Sequence, residues 1–349
     1  MSWDIVLLAG NLGAYRDDWD RLNDTLYGRQ PFFDSRFVEP MLKFFATGNE
    51  RLCIHSSDGV IDGLLILAPR RAGIWSLFAP SQAQIVPVLL DNVAHLQSLF
   101  GSLGGFPLTI ELQCQDPLHA VISPGDNNLP VTYDQHALTI SVTLKDGFEN
   151  YWSSRSRNLK HNVRRYLRRV EQDASSLRIE CHEAADKMQE VVGRYGELES
   201  RGWKGDQGTA LHATNAQGQF YATLMENFAS RGQASIYELY LKERMIASRL
   251  CILSSEMLII LKTTYDEALS QYSPGRLLLY LALEREFSLK RVKSVEFYTN
   301  ANQDQISWST DQRVVQHVTL FRSSLLKQAY IIRSRLRRRP MKEAPDSSA

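Results

Sequence analysis

A chain of 349 residues, 44% of them apolar, is long enough for two ordinary domains or one unusually large one, and this composition excludes the disordered and fibrous classes. Its 40 basic and 39 acidic residues leave a net charge of +1, so no global excess of charge points to a nucleic-acid or membrane partner; such a reading must rest on local patches.

The chain opens with "MSWDIVLLAGNLGAYR", in which Asp4 stands where a signal peptide carries positive charge, and no later run reaches the roughly 18 consecutive apolar residues of a membrane span. A cytoplasmic protein is the expectation. Apolar stretches alternating with Ser57-Asp58-Gly59 and Arg71-Ala72-Gly73 predict an antiparallel meander of strands over 51–56, 60–68 and 73–78. Ile85, Leu89, Val93, Leu96 and Phe100 have helical spacing, and two strands follow near 107–113 and 137–144. Cys53, Cys114, Cys181 and Cys251 are far apart and form no C-x-x-C pair, which leaves them as reduced core residues.

"ENYWSSRSRNLKHNVRRYLRRVEQ" then places Leu159, Val163, Tyr166, Leu167 and Val170 on one helical face and Arg157, Lys160, Arg164, Arg165 and Arg168 on the rest, a strongly basic amphipathic helix. Helices are predicted over 184–200 and 217–230, and strands over 234–241, 245–253 and 256–264. After them come an apolar helix from Pro274, a strand at 294–299, a polar loop and a last strand "VVQHVTLFR". Each half thus contains a three-strand meander followed by a helix, and "KDGFEN" at 145–150 supplies a polar turn between them. The division predicted is 1–147, 148–326 and a basic C-terminal helix and tail over 327–349, in an α+β fold with a central mixed sheet.

The chemistry concentrates at Ser273-Pro274-Gly275-Arg276. A helix start has N–H groups without internal partners and the positive end of the helix dipole, so it attracts anions. Ser273 suits the N-cap, Pro274 the first turn, Gly275 a close approach of ligand to backbone, and Arg276 adds a fixed cation. A pyrophosphate satisfies all four, whereas the same tripeptide in "ISPGDNN" at 122–128 has no helical pattern after it.

"ESRGWKGDQGTAL" at 199–211 followed by "YDEALSQYSPGRLLL" at 265–279 resembles the CelD-like branch of the GNAT acyltransferase superfamily, related to the Fem-type aminoacyl transferases. The resemblance implies tandem GNAT-like folds, the first without a cofactor. It also implies acyl-CoA as co-substrate, without a metal, its pyrophosphate at Gln271, Tyr272, Ser273, Gly275, Arg276 and Leu277 and its pantetheine arm along "MLIILKTTY". The chain departs from the family pattern after Glu296 and Phe297, where "YTNANQDQISWST" lacks the glycine and lysine that follow in relatives.

Direct acyl transfer needs a base for the acceptor's proton, donors for the oxyanion and an acid for the thiolate. Glu199, at a helix end, is a candidate base, set against the alternative of a solvated carboxylate; Tyr265 and Asp266 stand at the strand end beside the phosphate turn. Trp203 and Lys204 are candidates to wall the acceptor pocket and bind an anionic substrate. His161, His182, His212 and His317 have no metal-ligand spacing, so no metal is expected.

Residues 312–342 hold Arg313, Arg322, Lys327, Arg333, Arg335, Arg337, Arg338, Arg339 and Lys342 and no acid, and Leu325, Leu326, Ala329, Tyr330 and Ile332 have near-helical spacing. Such a helix suits the inner face of a membrane or an RNA, as well as simple packing on the domain. The expected function is acyl-CoA-dependent N- or O-acyl transfer to a small-molecule, polysaccharide, cell-envelope or lipid-linked acceptor. The alternatives are an aminoacyl-tRNA-dependent transferase and a catalytically silent binding protein.

Overall fold

The computed structural model describes residues 2–122, 129–173, 176–202 and 210–337. The first half runs β1 (Ser2–Leu7), α1 (Arg16–Tyr27), α2 (Ser35–Phe45), β2 (Arg51–Ser57), β3 (Val60–Arg71), β4 (Ile74–Leu77), β5 (Leu89–Leu90), α3 (Leu96–Ser102), β6 (Thr109–Gln115) and β7 (Val131–Thr143). After α4 (Phe148–Ser154) and α5 (Arg157–Gln172) the second half follows that order without a counterpart of β5 and with one short helix added before its last strand. It runs β8 (Leu177–His182), α6 (Met188–Ser200), α7 (Ala216–Ala229), β9 (Ala234–Leu241), β10 (Arg244–Leu253), β11 (Met257–Tyr265), α8 (Pro274–Leu289), β12 (Ser294–Glu296), α9 (Gln303–Ile306) and β13 (Asp311–Phe321). A final helix, α10, covers Ser324–Arg337.

The strands form one mixed sheet in the order β1-β2-β3-β4-β6-β13-β7-β12-β11-β10-β9-β8, with β5 on β3. Helices flank it, which is the α+β architecture expected. The two halves exchange their last strands: β7 pairs with β12, while β13 pairs with β6. A cut at residue 147 therefore separates the halves in chain order but runs through hydrogen-bonded neighbours in the sheet. Arg313 on β13 reinforces the exchange, donating to Asp116 beyond β6 at 2.7 and 2.8 Å and to Glu296 on β12 at 2.7 Å.

Two cores result. One joins the first half to α6 and α7, through residues such as Trp19, Phe37, Leu65, Tyr195 and Phe220. The other lies on the opposite face of the second half, where Leu277, Leu278 and Leu283 of α8 pack with Leu159, Val163, Leu258 and Ile260. Burying each such leucine contributes about 1.5–3 kcal/mol, which fixes α8 on the sheet and with it the turn at its start.

The helix expected over 85–100 begins only at Leu96. Pro87 interrupts the pattern, and the stretch before it turns and bends onto β6: the Val86 N–H donates to the Cys114 carbonyl at 3.2 Å, and the Gln115 amide donates to the Val86 carbonyl at 3.1 Å. Ala83, Ile85, Val86 and Val88 are buried there, filling the space where β4 and β6 diverge. The strand expected over 294–299 stops at Glu296, and Tyr298 takes φ 43°. No helix among the described residues is long and apolar enough to cross a membrane.

Candidate active site

β11 and β12 run parallel for three residue pairs, Met257 with Ser294 to Ile259 with Glu296, and then part because β12 ends. From Ile260 onward the edge of β11 on that side has no strand beside it among the described residues. On its other side β11 carries a bulge: Leu250 faces Lys262 and Cys251 faces Ile260, so Leu261 is the extra residue, outside the β10 ladder. The divergence opens a cleft of about 640 Å³, bounded by Ile260–Tyr265, Ser273–Arg276, the segment after β12, and Gln84 from the first half. In the first half the corresponding divergence of β4 and β6 is filled by the chain's own residues 83–88.

Ser273, Gly275 and Arg276 line this cleft. The turn is built differently from the expected N-cap: Ser273 adopts the left-handed conformation, φ 50° and ψ 59°, and its side chain makes no capping bond. Its carbonyl accepts from the Arg276 amide at 3.0 Å and the Leu277 amide at 3.2 Å, and Pro274 has no N–H. The Gly275 amide is thus the first-turn donor not engaged by that carbonyl. A Cβ at Gly275 would touch the Tyr265 ring at 3.3 Å, so strand end and turn are in van der Waals contact. Arg276 is held by Asp304, Nη2 to Oδ1 at 2.8 Å, and donates to the Tyr166 hydroxyl at 2.8 Å. Burial would raise the Tyr166 pKa, but Arg165, Arg276 and Ser273 around its hydroxyl together hold it below the usual value.

The remaining residues expected at a pyrophosphate face elsewhere. Leu277 is fully buried under α8; Tyr272 is buried with its hydroxyl donating to Asp173; the Gln271 carbonyl accepts from Arg169 at 2.8 Å. That last contact, with the Tyr166 pair, brings the basic face of α5 against the turn. Of the catalytic candidates, Tyr265 lines the cleft, and its hydroxyl has no hydrogen-bond partner among the described residues. Asp266 is buried and structural, accepting from the Ala268 amide at 3.1 Å and from Arg244. Glu199 is buried instead of solvated, accepting from the Leu211 amide at 2.9 Å and pairing with Lys262 at 3.4 Å. Trp203 and Lys204 lie outside the described residues.

Residues 157–304 match the family described as an acetyltransferase (GNAT) domain. No curated protein matches the sequence. Among solved structures, that of FemX superposes with a TM-score of 0.58 at 9% identity, over 94% of this chain and 99% of that one. A conserved protein of unknown function from Bacteroides thetaiotaomicron VPI-5482 gives 0.57 at 10%, over 92% and 100%. The C-terminal domain of a putative lysylphosphatidylglycerol synthetase from Agrobacterium fabrum gives 0.55 at 12%, over 92% and 97%. At these identities the likeness is one of fold.

The GNAT-matching region contains the bulge, the turn and most of the cleft's lining, and the cleft also holds residues that sequence reasoning passed over. Lys262 reaches the cleft from β11, Arg249 from β10, and Asp304 and Trp308 from the loop after β12. Alternation along β10 and β11 signals which residues share a face, but the bulge shifts that alternation and only the paired strands reveal it. Among the described residues, two groups of side chains could hold a metal ion, His55 with Asp62 and His95, and Glu180 with His182 and Glu238; none of the six lines the cleft.

Proposed function

We propose that the protein is an acyl-CoA-dependent N- or O-acyltransferase working by direct transfer, of the CelD-like kind its sequence resembles. The observation that carries this reading is the open edge of β11 leading from the bulge at Leu261 to the turn at Gly275. A pantetheine arm carries two amides, and an unpaired strand edge offers complementary N–H and C=O groups. The donor supplies a thioester, whose carbonyl carbon is the electrophile.

The chain's part is to position and stabilise. Backbone N–H groups near the bulge face the carbonyl oxygen as it gains charge on attack by the acceptor. The C–S bond breaks as the C–N or C–O bond forms; Tyr265, whose hydroxyl has no partner among the described residues, gives its proton to the departing thiolate, and the proton released by the acceptor's amine or hydroxyl passes through water in the open cleft to restore the Tyr265 hydroxyl. The Gly275 amide and the basic face of α5 receive the donor's phosphates. The filled divergence in the first half supports assigning the donor to the second half alone.

A second reading, transfer from an aminoacyl-tRNA, draws on the same basic face, where Arg164, Arg165 and Arg168 are exposed beside the turn. Melting the protein with acetyl-CoA, longer acyl-CoAs, free CoA and bulk tRNA separates the two, since only a ligand of the native state raises the melting point. Stabilisation by acyl-CoA supports the first reading; stabilisation by tRNA alone replaces it with the second.

A further inference from the structure

We infer that Arg249 anchors an anionic oxygen group, a carboxylate or a phosphate, of the molecule that enters the cleft. The inference deepens the functional reading above and rests on the cleft being a ligand site, though not on the ligand being a coenzyme A ester. Arg249 is 5% exposed and lines the cleft from β10. Directly opposite it on β11 is Thr263, whose hydroxyl oxygen accepts from Arg249 Nε at 2.9 Å. Nη1 is buried and has no partner among the described residues.

No carboxylate among the described residues pairs with Arg249. Glu199 is paired with Lys262, and Glu286 is held by Arg291 at 2.7 and 3.0 Å and by Tyr237. Burial lowers the Arg249 pKa to about 10, which leaves it charged at neutral pH. An unpaired buried guanidinium is costly, and an oxyanion arriving with the ligand removes that cost through the paired geometry that the guanidinium fork offers.

Two other residues lining the same cleft carry buried atoms without a partner among the described residues, Gln84 Oε1 and Trp308 Nε1. Three residues from separate segments that line one space thus carry buried polar atoms with no partner among the described residues, two of them donors. Buried polar groups are ordinarily hydrogen-bonded, so their convergence points to a polar ligand. Thr263 lies two residues from both the bulge and Tyr265, about 7 Å along the strand in each direction. The anion at Arg249 is therefore separate from one held at Gly275. It is either a carboxylate on the acyl chain or a phosphate of the donor.

The test melts the full-length protein, Arg249→Met and Arg249→Lys in a buffer free of multivalent anions, then with pyrophosphate, succinate, acetyl-CoA and succinyl-CoA. Pyrophosphate or succinate is expected to raise the wild-type midpoint by at least about 2 °C, to leave Arg249→Met unmoved, and to shift Arg249→Lys partly. A succinyl-CoA advantage over acetyl-CoA that disappears in Arg249→Met assigns the site to an acyl carboxylate; a pyrophosphate shift with no succinyl advantage assigns it to a phosphate. Should Arg249→Met not fold, Arg249→Gln takes its place. The inference is overturned if neither simple anion moves the wild type, or if the uncharged variant responds as the wild type does. A response to simple anions with none to either CoA ester removes the acyl-CoA reading and keeps this one.

Discussion

Arg276 and Asp304 face each other with two contacts, Nη2 to Oδ1 at 2.8 Å and Nε to Oδ2 at 3.0 Å, across the mouth of the cleft. A resident carboxylate therefore occupies the guanidinium that an incoming phosphate would use. Both side chains are partly solvent-exposed, so the pair is worth at most about 1 kcal/mol to the fold. Asp304→Asn should leave the melting point of the free protein nearly unchanged and tighten acyl-CoA binding about 3- to 10-fold, since roughly 1.4 kcal/mol is a factor of ten. Titration calorimetry decides it; unchanged or weaker binding removes Arg276 from the phosphate site.

Gly275 gives a second handle on the same turn. A side chain there meets the Tyr265 ring, and a carboxylate would repel phosphate, yet an acid in the first turn of a helix is favourable for the helix itself. Gly275→Glu is therefore expected to melt near the wild-type temperature while losing the acyl-CoA shift. Gly275→Ala, which asks only that the ring move slightly, should retain part of it. A full shift in the glutamate variant would place the diphosphate elsewhere.

Much of this arrangement could be read from the chain alone. The meanders, α8 and the turn at Gly275 were legible because turn residues punctuate apolar runs there and the helix is apolar on most of its surface. The fate of residues 83–90 was less so: their helical spacing persists although Pro87 and the bonds of Val86 to β6 and of Leu89–Leu90 to β3 keep them out of a helix. Strand exchange left no trace in local pattern, because β7 and β13 read as strands whichever partner they take. Arg249, Lys262 and Asp304 share the cleft through register, bulge and a loop crossing, all of them long-range relations. Arg313 looked like one charge in a basic stretch but is largely covered, its side chain 12% exposed, and is paired with Asp116 and Glu296, so it belongs to the sheet and not to the basic surface.

Tyr265 bears on catalysis directly. With no partner for its hydroxyl among the described residues, Tyr265→Phe removes a proton donor without leaving an unsatisfied group behind. The expected result is a fall in kcat of about 100-fold with KM little changed. Equal activity of the phenylalanine enzyme would leave thiolate protonation to solvent or to the substrate.

The Arg313 cluster predicts how stability follows pH. Asp116 is buried, which by itself raises its pKa, but two contacts from Arg313 and the Leu118 amide outweigh burial and hold it below the usual carboxylate range. A depressed carboxylate stabilises the fold above its unfolded pKa, roughly 3.9, and that contribution is lost as pH falls through the folded value. Asp116→Asn, which weakens the compensation of a largely covered guanidinium that keeps Glu296 as its second partner, should cost about 1–3 kcal/mol at pH 7. The gap from wild type should narrow progressively below about pH 4. Urea titrations at a series of pH values measure it, and a gap that stays constant into acid would mean that the carboxylate's charge is not what the site uses.

The C-terminal helix makes the last prediction. Arg313 is paired with Asp116 and Glu296, and Arg322 is spent on the carbonyls of Phe100 and Pro107 at 3.3 and 3.4 Å, so the basic surface of the C-terminal region starts beyond them. On α10, Leu325 is 82% exposed and Ile332 58%, and Lys327, Arg333 and Arg335 stand on the same helix with no acid in the stretch. An exposed apolar face bordered by cations gains from a lipid interface twice, by burial of the leucine and isoleucine and by attraction to anionic headgroups, about 1 kcal/mol per basic residue. The full-length protein is expected to co-sediment with vesicles containing anionic lipid at low salt, to release as ionic strength rises, and to ignore neutral vesicles. Leu325→Asp with Ile332→Asp should abolish co-sedimentation and leave acyl-CoA binding intact. If the double variant binds vesicles as well as the wild type does, α10 is a surface helix and the acceptor need not be sought at a membrane.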